Sequence, residues 1–494
     1  MNLRRLAIIA LCGALFATEP DQATRRWWSH VVALANDGLQ GRDTGSEGYR
    51  QAARYVVTEF QRAGLEPAGE SGYYQPVPLH SVRLDTEKSE IQLVRKDGAA
   101  RLQWLRQITM TARAGLPDTL DAPLVFTGSD ADNAGLEGKI AVQLGAARRG
   151  GAPASRPGIA GTLTIDATTG PEPPRWPAAY SVAMTLAGAE RQAVAAPLAF
   201  RFNPAFAEML FQGSGHTYQE LLDLAAAGKP LPRFDLSATL RAKLRVENSG
   251  LTSDNILAAL PGSDAALANE YIVVSAHLDG YGIGEPWNGD RIYNGAFDDA
   301  AYVATLIDLA QRLHDSHTKL KRSLLFAVVT AEEKGLLGSR YFTGHPTIPK
   351  EKMVANINLD QLRPIFPLQI MTTLALDEST LGDTVKQVAG PMGIRIQPDP
   401  EPERNLLRRS DHYSFMQIGV PAVGFIFGYE KGTPEEAVYR RWYAERYHSP
   451  ADDLQQPWDP PAAAKFNDFF NRLVETLADA PERPHWKPGS SFAK

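Results

Sequence analysis

Five largely apolar segments in the second half of the chain narrow its possible folds more than any other feature. They are Tyr271–Ala276, Leu324–Thr330, Val354–Leu359, Leu368–Thr372 and Ala422–Phe427. Each has the length of a strand, and they show little of the polar alternation of a half-exposed one. Strands of this kind are buried on both faces, which requires helical layers above and below a largely parallel sheet. The intervening segments supply helical candidates: Asp299–Leu313, Glu333–Phe342, Leu381–Val388, Asp411–Ile418 and Ala462–Leu477. The alternation predicts an α/β fold, a mostly parallel mixed sheet flanked by helices.

Metal-ligand residue types stand where several of these segments end. His277 follows Tyr271–Ala276, Glu332 and Glu333 follow Ser323–Ala331, and Asp360 follows Val354–Leu359. The crevice beyond the carboxyl ends of parallel strands is where such sheets bind ligands. Asp298 and Asp299 come after a glycine-rich stretch (Gly280, Gly282, Gly284, Gly289, Gly295) and open a helix, and His448 lies in the loop-like 446–453. Two histidines, three carboxylates and a spare glutamate suit a two-zinc hydrolytic site. Plainer readings compete: a satisfied surface histidine, or adjacent aspartates that only favour a helix start. The glutamate pair resists a packing explanation, because adjacent like charges repel unless a cation or proton intervenes. One glutamate as ligand and one as base resolves the conflict. Asp279, two residues after His277, can hold the far ring nitrogen and fix the tautomer. Asp298 can bridge two cations while Asp299 caps the helix. Asp452 or Asp453 can orient the His448 ring.

At 494 residues the chain has room for two or three domains. Its net charge of -6, without a basic stripe, argues against nucleic acid. Arg4 and Arg5 precede the apolar run Leu6–Ala17, too short to span a bilayer. This fits a secretory signal at 1–17 and predicts a secreted or periplasmic protein. The single cysteine, Cys12, lies inside that run. Its removal leaves no thiolate, so any zinc must be held by His and carboxylate.

Residues 25–64 read as helical, broken by a loop at 41–46, and form the start of an N-terminal part of the catalytic domain expected at 18–115. Across 116–244 the Gly, Ala and Pro content rises and short β-like pieces appear, with no ligand cluster. This predicts an inserted, mostly-β module. The catalytic domain is expected at 245–480 and a loosely ordered tail at 481–494.

The order His277-Leu278-Asp279, Gly295-Ala296-Phe297-Asp298-Asp299, Glu332-Glu333, Asn358-Leu359-Asp360, Ser410-Asp411-His412 and Tyr447-His448-Ser449-Pro450 resembles the co-catalytic two-zinc family of aminopeptidases and glutamate carboxypeptidases. Arg42–Gly48 resembles that family's N-terminal signature, and the insert resembles a protease-associated domain. The resemblance implies two zinc ions per chain and a peptide or amino-acid-amide substrate. It implies that His277 and Asp360 hold one ion, Glu333 and His448 the other, and that Asp298 bridges them. By the same likeness Glu332 is the general base, Asp279 orients His277, Tyr447 stabilises an oxyanion and Arg409 contacts substrate. The chain departs from the pattern at Phe297, where a smaller residue is common and a bulky ring narrows the pocket. It also departs at Ala301-Tyr302, in place of Ser-Gly, and at Gln361, in place of Met; these bear on substrate preference. The implied activity is that of a zinc exopeptidase, an aminopeptidase. The competing activities are a carboxypeptidase, with Arg404, Arg408 and Arg409 meeting a substrate carboxylate, and a single-zinc glutaminyl cyclase. A receptor-like binding protein on the same fold is the non-enzyme rival, but such relatives have lost ligands that are all present here.

Overall fold

The computed structural model describes residues 19–128, 134–145, 158–166, 174–189, 197–360 and 363–493. The expected signal at 1–17, with Cys12, and Gln361 lie outside these residues. Among the described residues, no helix is long and apolar enough to cross a membrane.

The strands Tyr271–His277, Ser323–Val329, Met353–Asn358 and Ala422–Phe427 are buried almost from end to end, as their largely apolar composition predicts. They run in parallel, in the spatial order Ala422–Phe427, Met353–Asn358, Tyr271–His277, Ser323–Val329. From Tyr271–His277 the chain goes first to Ser323–Val329 on one side, then crosses to Met353–Asn358 on the other. Strand order therefore reverses at His277, and a crevice opens beyond its carboxyl end.

The flanks of this sheet are antiparallel. Ile370–Leu374 pairs antiparallel with Ala422–Phe427, and Val246–Leu260 with Ser323–Val329. Tyr74–Leu84 and then Val182–Leu186 extend the far edge. The sheet is thus mixed, as expected: parallel at its centre, flanked by antiparallel strands, with Arg395–Gln397 pairing parallel with Ile370–Leu374 at one edge. Tyr74–Leu84 alternates buried with half-buried residues, and Val246–Leu260 begins with an exposed polar half. The first leaves no apolar run for the eye to find, and the second only the short Ile256–Leu260 at its end.

Helices cover both faces. On one, Ile272, Val274, Leu324 and Phe326 meet Trp27, Val31, Tyr49, Phe60, Leu306, Phe466 and Phe470 in one continuous core. These side chains come from Gln22–Ala35, Glu47–Arg62, Ala301–Asp315 and Pro460–Asp479. On the other, Val273, Leu325 and Ala327 meet Phe342, Phe415 and Met416. Each large side chain buried this way contributes about 1.5–3 kcal/mol. Ser46 and Asp459 accept the first free N–H groups of their helices and set where those helices begin.

A second sheet has its own core. Its strand order is Gly98–Arg101, Glu90–Arg95, Phe234–Lys243, Thr119–Phe126, Ile140–Leu144, Gly161–Ile165, Leu198–Phe202, Ile108–Met110. It draws three strands from residues 90–110, upstream of the start expected at 116, because the compositional change marks the interior of the module and not its edge. Residues 481–493 are not loose. Trp486 donates to the Gly419 carbonyl at 3.0 Å and stacks on Phe492 with ring centroids 5.7 Å apart. Both rings pack against the second-face core, two aromatic anchors within an otherwise polar stretch.

Candidate metal centre

His277 is the last residue of its strand and is fully buried. Its Nδ1 lies 3.0 Å from the Asp279 carbonyl oxygen and 3.8 Å from the Asp279 carboxylate. The backbone, not the side chain, therefore takes the Nδ1 proton and turns the Nε2 lone pair towards the site. The Asp279 carboxylate instead accepts from the Glu332 N–H at 3.0 Å and the Thr44 hydroxyl at 3.1 Å. It ties the turn carrying the glutamate pair to the loop at 41–46.

Asp298 stands between the two histidines. His277 Nε2 is 3.2 Å from its Oδ1, and His448 Nε2 is 3.2 Å from its Oδ2. Its backbone is gripped from behind: Asp452 accepts the Phe297 and Asp298 N–H groups, each at 3.0 Å. Asp452 is thus spent on this loop and does not orient His448, whose Nδ1 is met by the Tyr281 hydroxyl at 3.0 Å. Nor does Asp299 cap the helix that follows. No side chain caps Ala301–Asp315, and Asp299 accepts from the His277 N–H at 3.3 Å.

Asp360 Oδ1 lies 3.8 Å from His277 Nε2, and Glu333 Oε1 lies 3.3 Å from His448 Nε2. Two groups result, His277–Asp298–Asp360 and Asp298–Glu333–His448, with the ligand atoms of each within 4.8 Å of one another. Asp298 belongs to both, and Glu332 to neither. The geometry separates the adjacent glutamates, which spacing alone left interchangeable.

Three carboxylates in one buried pocket oppose one another by roughly 4 kcal/mol per pair at 4 Å in an effective dielectric of about 20. Burial pushes the Asp360 carboxyl up to about 6, with Asp298 and Glu333 adding to the rise. Burial, then the charges of Asp360, Glu333 and Asp411, hold Glu332 well above the usual carboxylate range. Burial opposes charge on His277, but Asp298, Asp299 and their neighbours outweigh it and raise the imidazole well above its ordinary value. Burial likewise lifts Asp298, yet hydrogen bonds from both imidazoles hold it far below its ordinary value. The pocket favours positive charge. Asp298 Oδ2 and Asp360 Oδ2 are also buried without a hydrogen-bond donor in good geometry. Imidazole nitrogen and carboxylate oxygen in this arrangement fit zinc.

Residues 255–474 match peptidase family M28. That stretch contains every residue of the two candidate metal groups. Leupeptin-inactivating enzyme 1 of Streptomyces exfoliatus is 26% identical over 253 residues, which cover 50% of this chain and 52% of that protein. A probable leucine aminopeptidase 2 of Aspergillus oryzae is 26% identical over 256 residues, covering 48% of this chain and 45% of that protein. The chain thus aligns with about half the length of these relatives. Among solved structures, an aminopeptidase from Aneurinibacillus sp. strain AM-1 shares the fold with a TM-score of 0.62 at 20% identity, over 93% of this chain and 95% of that one. BSAP, a zinc aminopeptidase from Bacillus subtilis, gives 0.58 at 16% identity, over 96% and 100%.

Around this centre the structure assigns roles that spacing did not reveal. Arg42, fully buried, donates to the carbonyls of Leu34, Leu278, Asn294 and Gly295. One guanidinium so ties the His277 turn to the loop before Asp298. In the sequence it stands at the head of Arg42–Gly48, the stretch read above as an N-terminal signature, with nothing to show which turns it ties together. The Tyr447 ring stacks on His448 with centroids 3.6 Å apart. Arg363 lies over Trp442 and Tyr443 at 4.3 and 4.2 Å, and over Tyr439 and Tyr447 at 5.7 Å. Arg404 pairs with Glu401 at 2.9 Å, and Arg408 lies over Tyr413 at 5.6 Å. Arg409 is half-buried beside Ser410, which accepts from Asn358 at 2.6 Å. Phe297 does not narrow a pocket. Its ring is fully buried, 6.5 Å from both Trp28 and Trp442, as part of the core.

Proposed function

We propose that this chain is a zinc-dependent exopeptidase, an aminopeptidase that uses two zinc ions to cleave N-terminal peptide bonds. The observation that carries the reading is Asp298, with one oxygen 3.2 Å from each histidine Nε2. His277 and Asp360 would hold one ion and His448 and Glu333 the other, with Asp298 shared. When bound, such a pair supplies Lewis-acid polarisation of a carbonyl and lowers the pKa of water towards neutrality.

Glu332 takes the proton of the attacking water and delivers it to the leaving amine. Its carboxyl, raised by burial and by neighbouring carboxylates, is tuned in the direction a base working near neutral pH requires. Asp279 holds the Glu332 turn in place through its N–H. Tyr447 is assigned the oxyanion of the tetrahedral intermediate, and Arg409 a contact with substrate. The acidic walls, Asp298, Glu332 and Glu333, favour a substrate's free α-ammonium over a carboxylate, which supports the amino end as the site of cleavage. The engagement of Arg404 by Glu401 speaks against a carboxylate clamp there. The second sheet is read as a protease-associated-like insert, and the chain as secreted or periplasmic after removal of residues 1–17.

A panel of amino-acid anilides and N-blocked peptides, with and without chelator, tests the reading. Chelator-sensitive hydrolysis confined to free amino termini is the expected result. Cleavage of N-blocked peptides from their carboxyl ends would favour a carboxypeptidase. Near-zero zinc with no hydrolysis would favour a binding protein.

A further inference from the structure

His448 is the only ligand candidate whose outer ring nitrogen is held by a side chain that no family motif includes. Tyr281 Oη lies 3.0 Å from His448 Nδ1, and the two rings are 4.5 Å apart between centroids. With Nε2 facing Asp298 and Glu333, Nδ1 carries the proton and the tyrosine oxygen accepts it. Tyr281 in turn is fixed on its far side. Tyr180 stacks on it at 5.8 Å, Tyr293 lies at 6.2 Å, and Lys334 Nζ sits 5.1 Å from its ring centre. A buried ammonium facing two tyrosine rings is held by cation–π attraction. Lys334 is anchored independently, by Asp43 at 3.0 Å, the Tyr180 hydroxyl at 2.6 Å and the Gly280 carbonyl at 3.3 Å.

We infer that Tyr281 is a positioning residue for the Asp298–Glu333–His448 metal group, clamped in place by Lys334 and Tyr180. This rests on the two-ion reading above. Lys334 directly follows Glu333, so one short turn supplies the base assigned above, a ligand and the clamp on the other ligand's support. Tyr180 comes from the segment that joins the second sheet to the strand Val182–Leu186. That segment is docked beside the site through Ala179, whose carbonyl accepts the Glu285 N–H at 2.8 Å. The inserted module therefore reaches a metal ligand in two contacts, Tyr180 to Tyr281 and Tyr281 to His448. The group at His277 has no such dependence, since a backbone carbonyl holds its Nδ1.

Tyr281→Phe keeps the ring stack and removes only the hydroxyl. Zinc and cobalt(II) titration of the metal-free full chain, against a competing chelator, reads the two equivalents separately. The wild type is expected to bind two. In Tyr281→Phe one equivalent should weaken by about 10–100-fold while the other keeps its affinity and its cobalt spectrum. Unchanged affinity of both equivalents, or equal weakening of both, would overturn the inference. Fewer than two equivalents in the wild type would overturn the two-ion reading itself, and this inference with it. Tyr180→Phe, which removes one anchor of Lys334, provides a second measurement. It should weaken the same equivalent by a smaller factor, and no change, or a change in the other equivalent, would refute the clamp.

Discussion

The two sheets of this chain both contain neighbouring parallel strands, yet among the described residues only one gathers a candidate metal centre. In the main sheet His277, Glu332, Glu333 and Asp360 stand at or just past the carboxyl ends of three adjacent parallel strands. In the second, Thr119–Phe126, Ile140–Leu144, Gly161–Ile165 and Leu198–Phe202 are also parallel and adjacent. Asp166 follows one of them and is as buried as Asp360. Arg201 answers it at 2.6 Å, however, and Trp176 donates to it at 2.9 Å. Among the described residues, Asp360 has no arginine or lysine ion-pair partner and faces His277 across 3.8 Å. A carboxylate at a strand end is therefore a structural anchor where the chain supplies the cation, and a candidate ligand where it does not.

That contrast can be broken by substitution. The largest expected effect is on turnover: Glu332→Gln should lower kcat by about 10²–10⁴-fold while zinc content stays at the wild-type level. Full activity in this variant would remove the general base from the account. Next, His277→Ala and His448→Ala should each lose one zinc equivalent by elemental analysis, with hydrolysis falling in parallel. Loss of both equivalents in each variant would mean the two groups are not separate.

Acid should act on the main sheet's centre in a defined window. In the metal-free protein burial raises the Asp360 carboxyl to about 6, so below that pH zinc must displace a proton to gain this ligand, whereas above it the ionised form is available. The affinity of the metal-free protein for zinc should therefore weaken as pH drops through about 6, read by competitive titration at each pH, and the Asp360→Asn variant should lose the part of that pH dependence which Asp360 supplies. An identical pH dependence in wild type and Asp360→Asn would contradict Asp360 as a ligand. The smallest effect belongs to the second sheet. Asp166→Asn should reduce stability by about 1–3 kcal/mol through the weakened Arg201 and Trp176 contacts, without changing zinc content. A loss of zinc in this variant would erase the distinction between the sheets.

The site was legible to the extent that it lies on strands buried on both faces. A largely apolar composition brings out Tyr271–His277, Ser323–Val329 and Met353–Asn358, and the charged residues and histidine that end or follow them stand out. Residues that act across the fold gave no such signal. Arg42 reaches the carbonyl of Leu278, 236 positions away, and Asp452 reaches the Asp298 N–H, 154 positions away. Tyr281 meets His448 across 167 positions. The reading of Phe297 failed for the opposite reason. Its neighbours in sequence are site residues, but its ring turns back towards Trp28 and Trp442.

The central claim is that Asp298 joins two metal groups into one centre. Zinc titration of metal-free wild type and Asp298→Ala tests it most directly. The account predicts two equivalents in the wild type and weakened binding of both in the variant. A single equivalent in the wild type, or one equivalent left at full affinity in Asp298→Ala, would contradict it.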